Sequence, residues 1–591
     1  MQKSFDMSPA EAGAGLSLRW RRVGFAGLVL GTSAGLLWLM AATLFTQGPD
    51  ALGIIMLVLF ALTLPWTTIG FWNAVIGFAL MTFTRDPAAW VAPDLRGTEG
   101  EQKIDSSTAL LVCIRNEDTL RVQRNLEWML DRLLATGESR WFHLYMLSDS
   151  NQPEVIAAEE QAAAMLSDRY GPALKVTYRR REQGSGFKAG NIRDFCERWG
   201  HLHQFAIVLD ADSLMTPQAM LRLVRVMQVR PGIGILQTLT TGLPSASPFA
   251  RIFQFGMRLG MRSYTLGAAS WQGDCGPYWG HNAIIRIAPF TAHCHLPVLP
   301  GRPPLGGHVL SHDQIEAVLM RRAGYEVRVL PVEDGSWEEN PPTLLEFIRR
   351  DLRWCQGNMQ YFRLLVMPGL LPVSRCQLAL AIGMYLGAPA WLGFILLGLL
   401  RDVPFQADLG LVLFAVLMTM IFAPKLATLS DVLFRRSLRR VYGGPLRIVL
   451  SALIEIVLAT LIAPVSAVAI TIFMFGLLFG RQIGWSGQQR DAESLPLGTA
   501  IRGLWMQTAL GIALAGLAWY AVPAAFWFTA PVFLGLMAAV PVAMLTSQPR
   551  LGRAMAVAGL CRTPDEAAEP ACPVSAALFA PGLTVSAATS Q

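Results

Sequence analysis

"QFAIVLDADS", residues 204–213, runs five apolar residues straight into two carboxylates, Asp210 and Asp212. A short continuous apolar run bounded this way reads as a strand buried on both faces. Charges are costly to hold near a core unless they are paired or used. Carboxylates at i and i+2 on the tip of a buried strand therefore point to a site.

Three similar runs lie upstream, "STALLVCI" (107–114), "WFHLYMLSD" (141–149) and "ALKVTYRR" (173–180). Helical patterns separate them, from Leu120 to Leu134 and again to about Ser167. Such alternation predicts an α/β domain with a parallel sheet, whose ligands bind at the carboxyl ends of the strands. Glu117 and Asp118 follow the first strand, Asp149 ends the second, and Asp210 and Asp212 end the fourth. One acidic strand end is ordinarily a helix cap, whereas three on one edge mark a site. An i, i+2 carboxylate pair holds a divalent cation, which in turn carries a diphosphate. The sequence has no G-x-x-x-x-G-K-[ST] loop, which argues against ATP or GTP hydrolysis. A nucleotide-sugar remains, with Mg²⁺ or Mn²⁺ neutralising the departing diphosphate.

The rest of the chain is different. Only 15% of its 591 residues are charged, 53% are hydrophobic, and mean hydropathy is +0.39. Soluble domains carry about 25% charged residues. Residues 24–46, 52–83, 377–400, 409–424, 448–480, 503–522 and 524–546 are nearly free of charge, and a membrane-crossing helix takes about 20 residues. Residues 84–375 between them are ordinary in charge and hold all eight histidines. The expected organisation is an N-terminal segment (1–22), two transmembrane helices (23–83), a catalytic domain (84–375), a bundle (376–546) with loops at 425–447 and 481–502, and a disordered tail (547–591).

Basic residues set the expected orientation. Lys3, Arg19, Arg21 and Arg22 precede the first apolar run, and Lys425, Arg435, Arg436, Arg439, Arg440 and Arg447 cluster in the later loop. Both segments, and the domain, are expected in the cytoplasm. The net charge of +7 then reads as topology and attraction to anionic lipid, not as nucleic-acid binding. "WRRVGF" also fits a twin-arginine signal, but a second apolar run follows at once. Residues 448–480 admit two readings. One long helix gives seven spans and sends the tail outside. A hairpin broken at Pro464 gives eight and keeps residues 481–502 and the tail in the cytoplasm, as Arg481, Arg490, Arg550 and Arg553 favour. The eight cysteines stand singly, which suits a reducing compartment.

"RNED" (115–118), "SDS" (148–150), "KAGN" (188–191), "LDADS" (209–213), "SHDQIEA" (311–317) and "RDLRWCQGN" (350–358) occur in the order found in processive family 2 glycosyltransferases. The chain resembles most the glucans biosynthesis glucosyltransferase H family, through "SHDQIEAVLMRRAGYEV" and "RDLRWCQGNMQ". The resemblance covers roughly residues 20–550 and implies a GT-A-type domain inserted in a helical bundle of seven or eight spans. It implies roles residue by residue. Asp118 and Asp149 would contact uridine, with Glu117 beside them and Lys188 near the diphosphate. Asp210 and Asp212 are the D-x-D metal pair. Asp313 corresponds to the general base, Arg353 lies near the diphosphate, and Trp354 is the acceptor platform. "GWSGQQRD" (484–491) resembles a gating loop, which makes Trp485, Gln489 and Arg490 its candidates. Arg350 stands where the Q-x-x-R-W motif has Gln, and His312 where many relatives have Glu; both put cellulose or hyaluronan synthesis in doubt.

The implied activity is inverting transfer of glucose from UDP-glucose to a growing β-linked glucan at a bacterial inner membrane. The implied partners are UDP-glucose, the glucan chain and the bilayer, with a periplasmic glucan-handling protein and an acyl carrier protein as candidates and no nucleic acid. Two other readings compete. Asp313 as a plain helix cap is one. The other is a transporter with a nucleotide-sensing domain, which would need ionisable residues in its spans; Asp431 and Glu455 are the available ones.

Overall fold

The computed structural model describes residues 9–93, 102–484, 490–523 and 526–566. The four runs read from sequence form β1 (Thr108–Ile114), β2 (Phe142–Ser148), β3 (Lys175–Arg180) and β4 (Phe205–Asp210). Six more strands follow: β5 (Leu214–Met215), β6 (Ile233–Thr238), β7 (Thr241–Gly242), β8 (Ala283–Arg286), β9 (Glu326–Leu330) and β10 (Ser336–Glu338). Seven of them make one sheet in the order β3-β2-β1-β4-β8-β6-β9, in which β8 alone runs antiparallel to its neighbours. This is the expected parallel-type mixed sheet. The other three form a small sheet, β5-β10-β7.

Strand side chains alternate between faces, and β1 shows how both faces are filled. Leu110, Val112 and Ile114 meet Val122, Leu126, Met129 and Leu133 of the helix Thr119–Ala135. Ala109 and Leu111 face the opposite layer, with Ile192 and Phe195 of the helix Phe187–Trp199 and Ile315 and Leu319 of the helix His312–Arg322. Both layers are dry, so the polar strand ends are pushed to one edge.

Among the described residues, six helices are long and apolar enough to cross a membrane: Ser17–Leu44, Ala51–Phe83, Pro372–Leu400, Ala407–Phe434, Pro445–Leu478 and Leu497–Ala521. The pair Phe526–Met537 and Ala539–Thr546, bent by 59°, makes a seventh if it counts as one span. The eight-span hairpin is not formed, because one helix runs from Pro445 to Leu478 straight through Pro464. Proline frees a carbonyl but is tolerated in apolar helices when neighbours pack closely. Here Gly535 of the helix Phe526–Met537 sits so near that a Cβ on it would fall 2.5 Å from the Leu461 carbonyl oxygen and 2.8 Å from Pro464 Cγ.

The single helix does not send the following segment away from the domain either. Its start clusters with Ile252, Phe255 and Leu259 of the helix Pro248–Gln272, and beyond its end Ile483 N donates to Gln356 Oε1 at 2.9 Å. Both ends therefore lie beside the α/β domain. A topology reporter fused after Arg490 is expected on the same side as one placed within residues 84–375. Signals from opposite sides would refute this arrangement.

Two expected boundaries move. The charged stretch 425–447 is not all loop, since the helix Ala407–Phe434 runs into it as far as Phe434 and places Lys425 Nζ 2.5 Å from Glu455 Oε1. Asp431 is likewise held, by Arg262 at 3.0 Å and Arg435 at 2.6 Å. Each carboxylate invoked for a transporter relay thus has a fixed cation. The tail is also not disordered from residue 547. Pro549–Ala558 is helical, Glu566 pairs with Arg251 at 2.7 Å, and Asp565 pairs with Arg258 and accepts from Trp337 Nε1 at 2.9 Å. Those ion pairs bind a sequence whose Ala- and Pro-rich composition gives no such sign. Residues 567–591 lie outside the described residues.

Candidate functional site

The carboxyl edge of the sheet gathers the acidic residues, and short structural devices aim them. After β4 the chain turns at once: Asp210 N donates to Ser213 Oγ at 2.9 Å and Ser213 N to the Asp210 carbonyl at 3.1 Å. The turn feeds β5, which pairs with β10 and so brings Glu338 and Glu339 up beside the D-x-D pair. β8 enters through Asn282, whose amide donates to Ser336 Oγ and to the Trp337 carbonyl, each at 3.0 Å. Asn116, Phe187 and Asn282, one at each of three loops around the edge, hold left-handed backbone with φ of 50° to 54°. That conformation is unusual for a phenylalanine and gathers where loops are tightly constrained.

Opposite charges interlock across this edge. Lys188 Nζ donates to Asp210 and, at 2.7 Å, to the Gly280 carbonyl. Arg490 pairs with Asp212 and stands 3.4 Å from Glu117. Arg121 bonds Glu339 at 2.9 Å and also Asp491, while His281 Nε2 lies 3.3 Å from Glu338. Asp149 is gripped by Arg181 through two bonds of 2.7 and 2.5 Å. Burial would raise the Asp210 carboxyl, but Lys188 and then His281 outweigh it and leave it lowered. Burial likewise opposes the charge on Lys188, yet Asp210 together with Cys113 and Asp313 outweighs it and holds it above its usual range. Burial raises Glu117, Glu338 and Glu339, only partly offset by Arg490, His281 and Arg121 respectively.

Asp313 sits in the first turn of the helix His312–Arg322, and the N-cap position belongs to Ser311. The cap reading of Asp313 therefore fails. Gly280 passes so close that a Cβ there would stand 3.3 Å from Asp313 Cβ, and its φ of +81° also favours glycine. Since Lys188 bonds both the Gly280 carbonyl and Asp210, Asp313 and the D-x-D pair lie on either side of one cation. His312, buried beside Asp313, would lose charge through burial, but Glu316 at 2.9 Å reverses this and raises it.

The helix Leu344–Met359 carries Arg350, Arg353 and Trp354. It is pinned to the Asp313 helix where Tyr361 Oη donates to the Ser311 carbonyl at 2.8 Å and Leu310 N to Gln360 Oε1 at 2.9 Å. Trp354 is half exposed at 51%, with the Arg350 guanidinium 4.8 Å above its ring. Burial lowers both Arg350 and Arg353.

The predicted residues Glu117, Asp210, Asp212, Lys188, Asp313 and Arg490 thus come together, with Asp149 further along the same edge. Asp118 does a second job, since its Oδ1 caps the helix Thr119–Ala135 by accepting from Leu120 N at 3.1 Å and Arg121 N at 3.3 Å. Trp485 and Gln489 lie outside the described residues. Sequence reasoning missed Arg121, Arg181, His281, Glu338 and Glu339. The adjacent acids of "SWEEN" (336–340) are the one local sign of them.

The chain matches the family described as Glycosyl transferase family group 2 over residues 205–546. A glucans biosynthesis glucosyltransferase H from Xylella fastidiosa is 36% identical over 583 residues, covering 95% of this chain and 90% of that protein. The chain belongs to the glucans biosynthesis glucosyltransferase H family. A member from Vibrio cholerae is 35% identical over 98% of this chain and 81% of its own length. One from Cupriavidus pinatubonensis is 37% identical, but this chain spans only 66% of it. Among solved structures, a mannosyltransferase from Pyrobaculum calidifontis in complex with GDP-Man and Mn²⁺ is similar at a TM-score of 0.34 and 13% identity, covering 69% of this chain and 97% of that one. By that membership the α/β domain is a family 2 glycosyltransferase domain, joined here to apolar helices. Arg350 lies over the Trp354 ring and His312 against Glu316.

Proposed function

We propose that this protein transfers glucose from UDP-glucose to the end of a growing β-linked glucan, the backbone of an osmoregulated periplasmic glucan. The catalytic domain faces the cytoplasm of a bacterial inner membrane, and the apolar helices pass the product across it. The observation that carries this reading is the chain of contacts from Asp313, against Gly280, through the Gly280 carbonyl and Lys188 to Asp210. It supports a reading in which Asp313 is the base and Asp210 and Asp212 the diphosphate-side pair for one sugar.

Asp210 and Asp212 fit Mg²⁺ or Mn²⁺. Both are hard oxygen donors, and positive charge from Lys188 and Arg490 is already drawn to them. They would hold the ion, which supplies Lewis-acid neutralisation of the departing diphosphate. Asp313 takes the proton of the acceptor hydroxyl as that oxygen attacks the anomeric carbon. The bond from this carbon to the UDP oxygen breaks and its electron pair leaves with UDP. One displacement inverts configuration, so an α-linked donor gives a β-linked product. Lys188, Arg353 and Arg490 bring fixed positive charge to the developing diphosphate. Asp118, at the rim, and Asp149 are the uridine contacts, and Trp354, steadied by Arg350, is the acceptor platform.

Purified protein in lipid discs is expected to incorporate labelled glucose from UDP-glucose into a polymer whose linkage analysis gives β bonds, and EDTA is expected to stop it. Incorporation from another nucleotide-sugar and none from UDP-glucose would overturn the donor. The same reaction, run without a periplasmic glucan-handling protein or acyl carrier protein, tests whether either candidate partner is required.

A further inference from the structure

The two loops assigned to uridine are both tied to one buried side chain. Glu159 lies on the helix Pro153–Tyr170 and is only 1% exposed. It accepts from Ser148 Oγ at 2.6 Å, from Ser150 Oγ at 2.6 Å and from Tyr178 Oη at 3.0 Å. Ser148 and Ser150 flank Asp149 and are themselves buried. A carboxylate at that depth is costly unless its lone pairs are used, and these three hydroxyls use them.

The direction of these bonds carries the order outward. A hydroxyl has one hydrogen to give and two lone pairs to accept with. The Ser150 hydrogen goes to Glu159, so Ser150 Oγ is left to accept, and Asn116 N donates to it at 2.7 Å. In the same way Ser148 Oγ accepts from Ser150 N at 3.1 Å. Asn116 stands in the loop after β1, with left-handed backbone, directly before Glu117 and Asp118. Its side chain grips the neighbouring loop as well, where Oδ1 accepts from Asn151 N at 3.1 Å and from Gln152 N at 3.3 Å. β1 and β2 end side by side, with Ile114 opposite Ser148. One carboxylate thus fixes the loop that leads to Asp118 and the loop that carries Asp149. The two aspartates bond elsewhere, Asp118 to Leu120 N and Arg121 N and Asp149 to Arg181.

We propose that Glu159 is the positioning residue of the nucleoside side: by orienting the hydroxyls of Ser148 and Ser150 it holds Asp118 and Asp149 in the geometry that takes the donor's uridine. The inference rests on the assignment of those two aspartates to uridine. Loops that keep their binding geometry only part of the time bind their ligand more weakly by that fraction. Glu159 therefore acts on donor affinity. The diphosphate side and the base stand on other elements, with Asp210 at the end of β4, Lys188 on the helix Phe187–Trp199 and Asp313 on the helix His312–Arg322.

The test is steady-state glucose transfer by the full chain in lipid discs, with inorganic pyrophosphate as an inhibitor that carries the diphosphate but no nucleoside. Glu159→Ala should raise KM for UDP-glucose about tenfold or more, keep kcat within about threefold, and leave inhibition by pyrophosphate unchanged. Ser150→Ala removes the link between Glu159 and Asn116 and should raise KM in the same way, which keeps the proposal falsifiable if Glu159→Ala does not fold. Glu159→Gln keeps the volume but points N–H donors at hydroxyls that already donate, so its KM should fall between those of the wild type and Glu159→Ala. Unchanged KM in Glu159→Ala and Ser150→Ala overturns the proposal. So does a loss of kcat and of pyrophosphate inhibition that matches the rise in KM, because a domain loosened throughout gives that pattern. Asp149→Ala separates this inference from the reading beneath it. If Asp149→Ala leaves KM unchanged, the uridine assignment fails; if it alone raises KM, only the role of Glu159 fails.

Discussion

Asp313→Asn is expected to lower glucose transfer by about 10²–10⁴-fold, the range for loss of a general base, while UDP-glucose binds as before. Asn keeps the shape of the side chain but cannot take the acceptor proton. The substitution separates chemistry from architecture because residue 313 lies inside the first turn and not at the N-cap position, which Ser311 occupies. Even at an N-cap, Asn and Asp serve about equally. Packing is not disturbed either: Ile315, Val318 and Leu319 hold the helix to the sheet, and the Gly280 contact is to Cβ, which Asn retains. Initial rates with labelled UDP-glucose and a separate nucleotide-binding titration check it. Unchanged transfer would remove Asp313 as the base, and lost binding would mean that it holds the donor instead.

The second large effect is expected at Asp212. Stabilising a departing diphosphate through a metal contributes several kcal/mol, and each 1.36 kcal/mol is tenfold in rate. Asp212→Asn should therefore cost at least about 10²-fold, and added Mg²⁺ or Mn²⁺ should not restore it. The fold should survive. Asp212 lies in the turn beyond β4, outside the two apolar layers, and the arginine it would release keeps Glu117 at 3.4 Å. The size-exclusion profile and thermal midpoint should stay near wild type. Near-normal activity at saturating Mg²⁺ would take the D-x-D role away from residues 210–212.

Both effects concern residues that were legible before any coordinates. Asp212 follows a short continuous apolar run that reads as a buried strand, and "SHDQIEA" supplies Asp313. What surrounds them was not legible. Arg490 meets Glu117 and Asp212 from the far end of the chain, beyond three apolar helices. The expected gating-loop role put it near the nucleotide, but not on Asp212 and Glu117. His281 reaches Glu338 from the left-handed turn before β8, a strand of four residues. Glu338 arrives on a three-residue strand paired with strands of two. Segments that short carry no period from which a strand can be read.

By itself the sequence determined what depends on neighbours in the chain. Charge-free stretches marked the apolar helices, the alternating runs set β1 to β4 and the helices between them, and the acidic strand ends named one edge as the site. Tertiary structure decided what depends on which distant surfaces meet. Pro464 reads as a breaker in isolation, yet its helix continues, because Gly535 lets a neighbouring helix pack against Leu461 and Pro464. The tail reads as disordered, yet Asp565 and Glu566 find Arg258 and Arg251 and hold it down. Hydrophobic periodicity is a property of a segment, whereas an ion pair or a close helix contact is a property of two segments whose separation the chain does not encode locally.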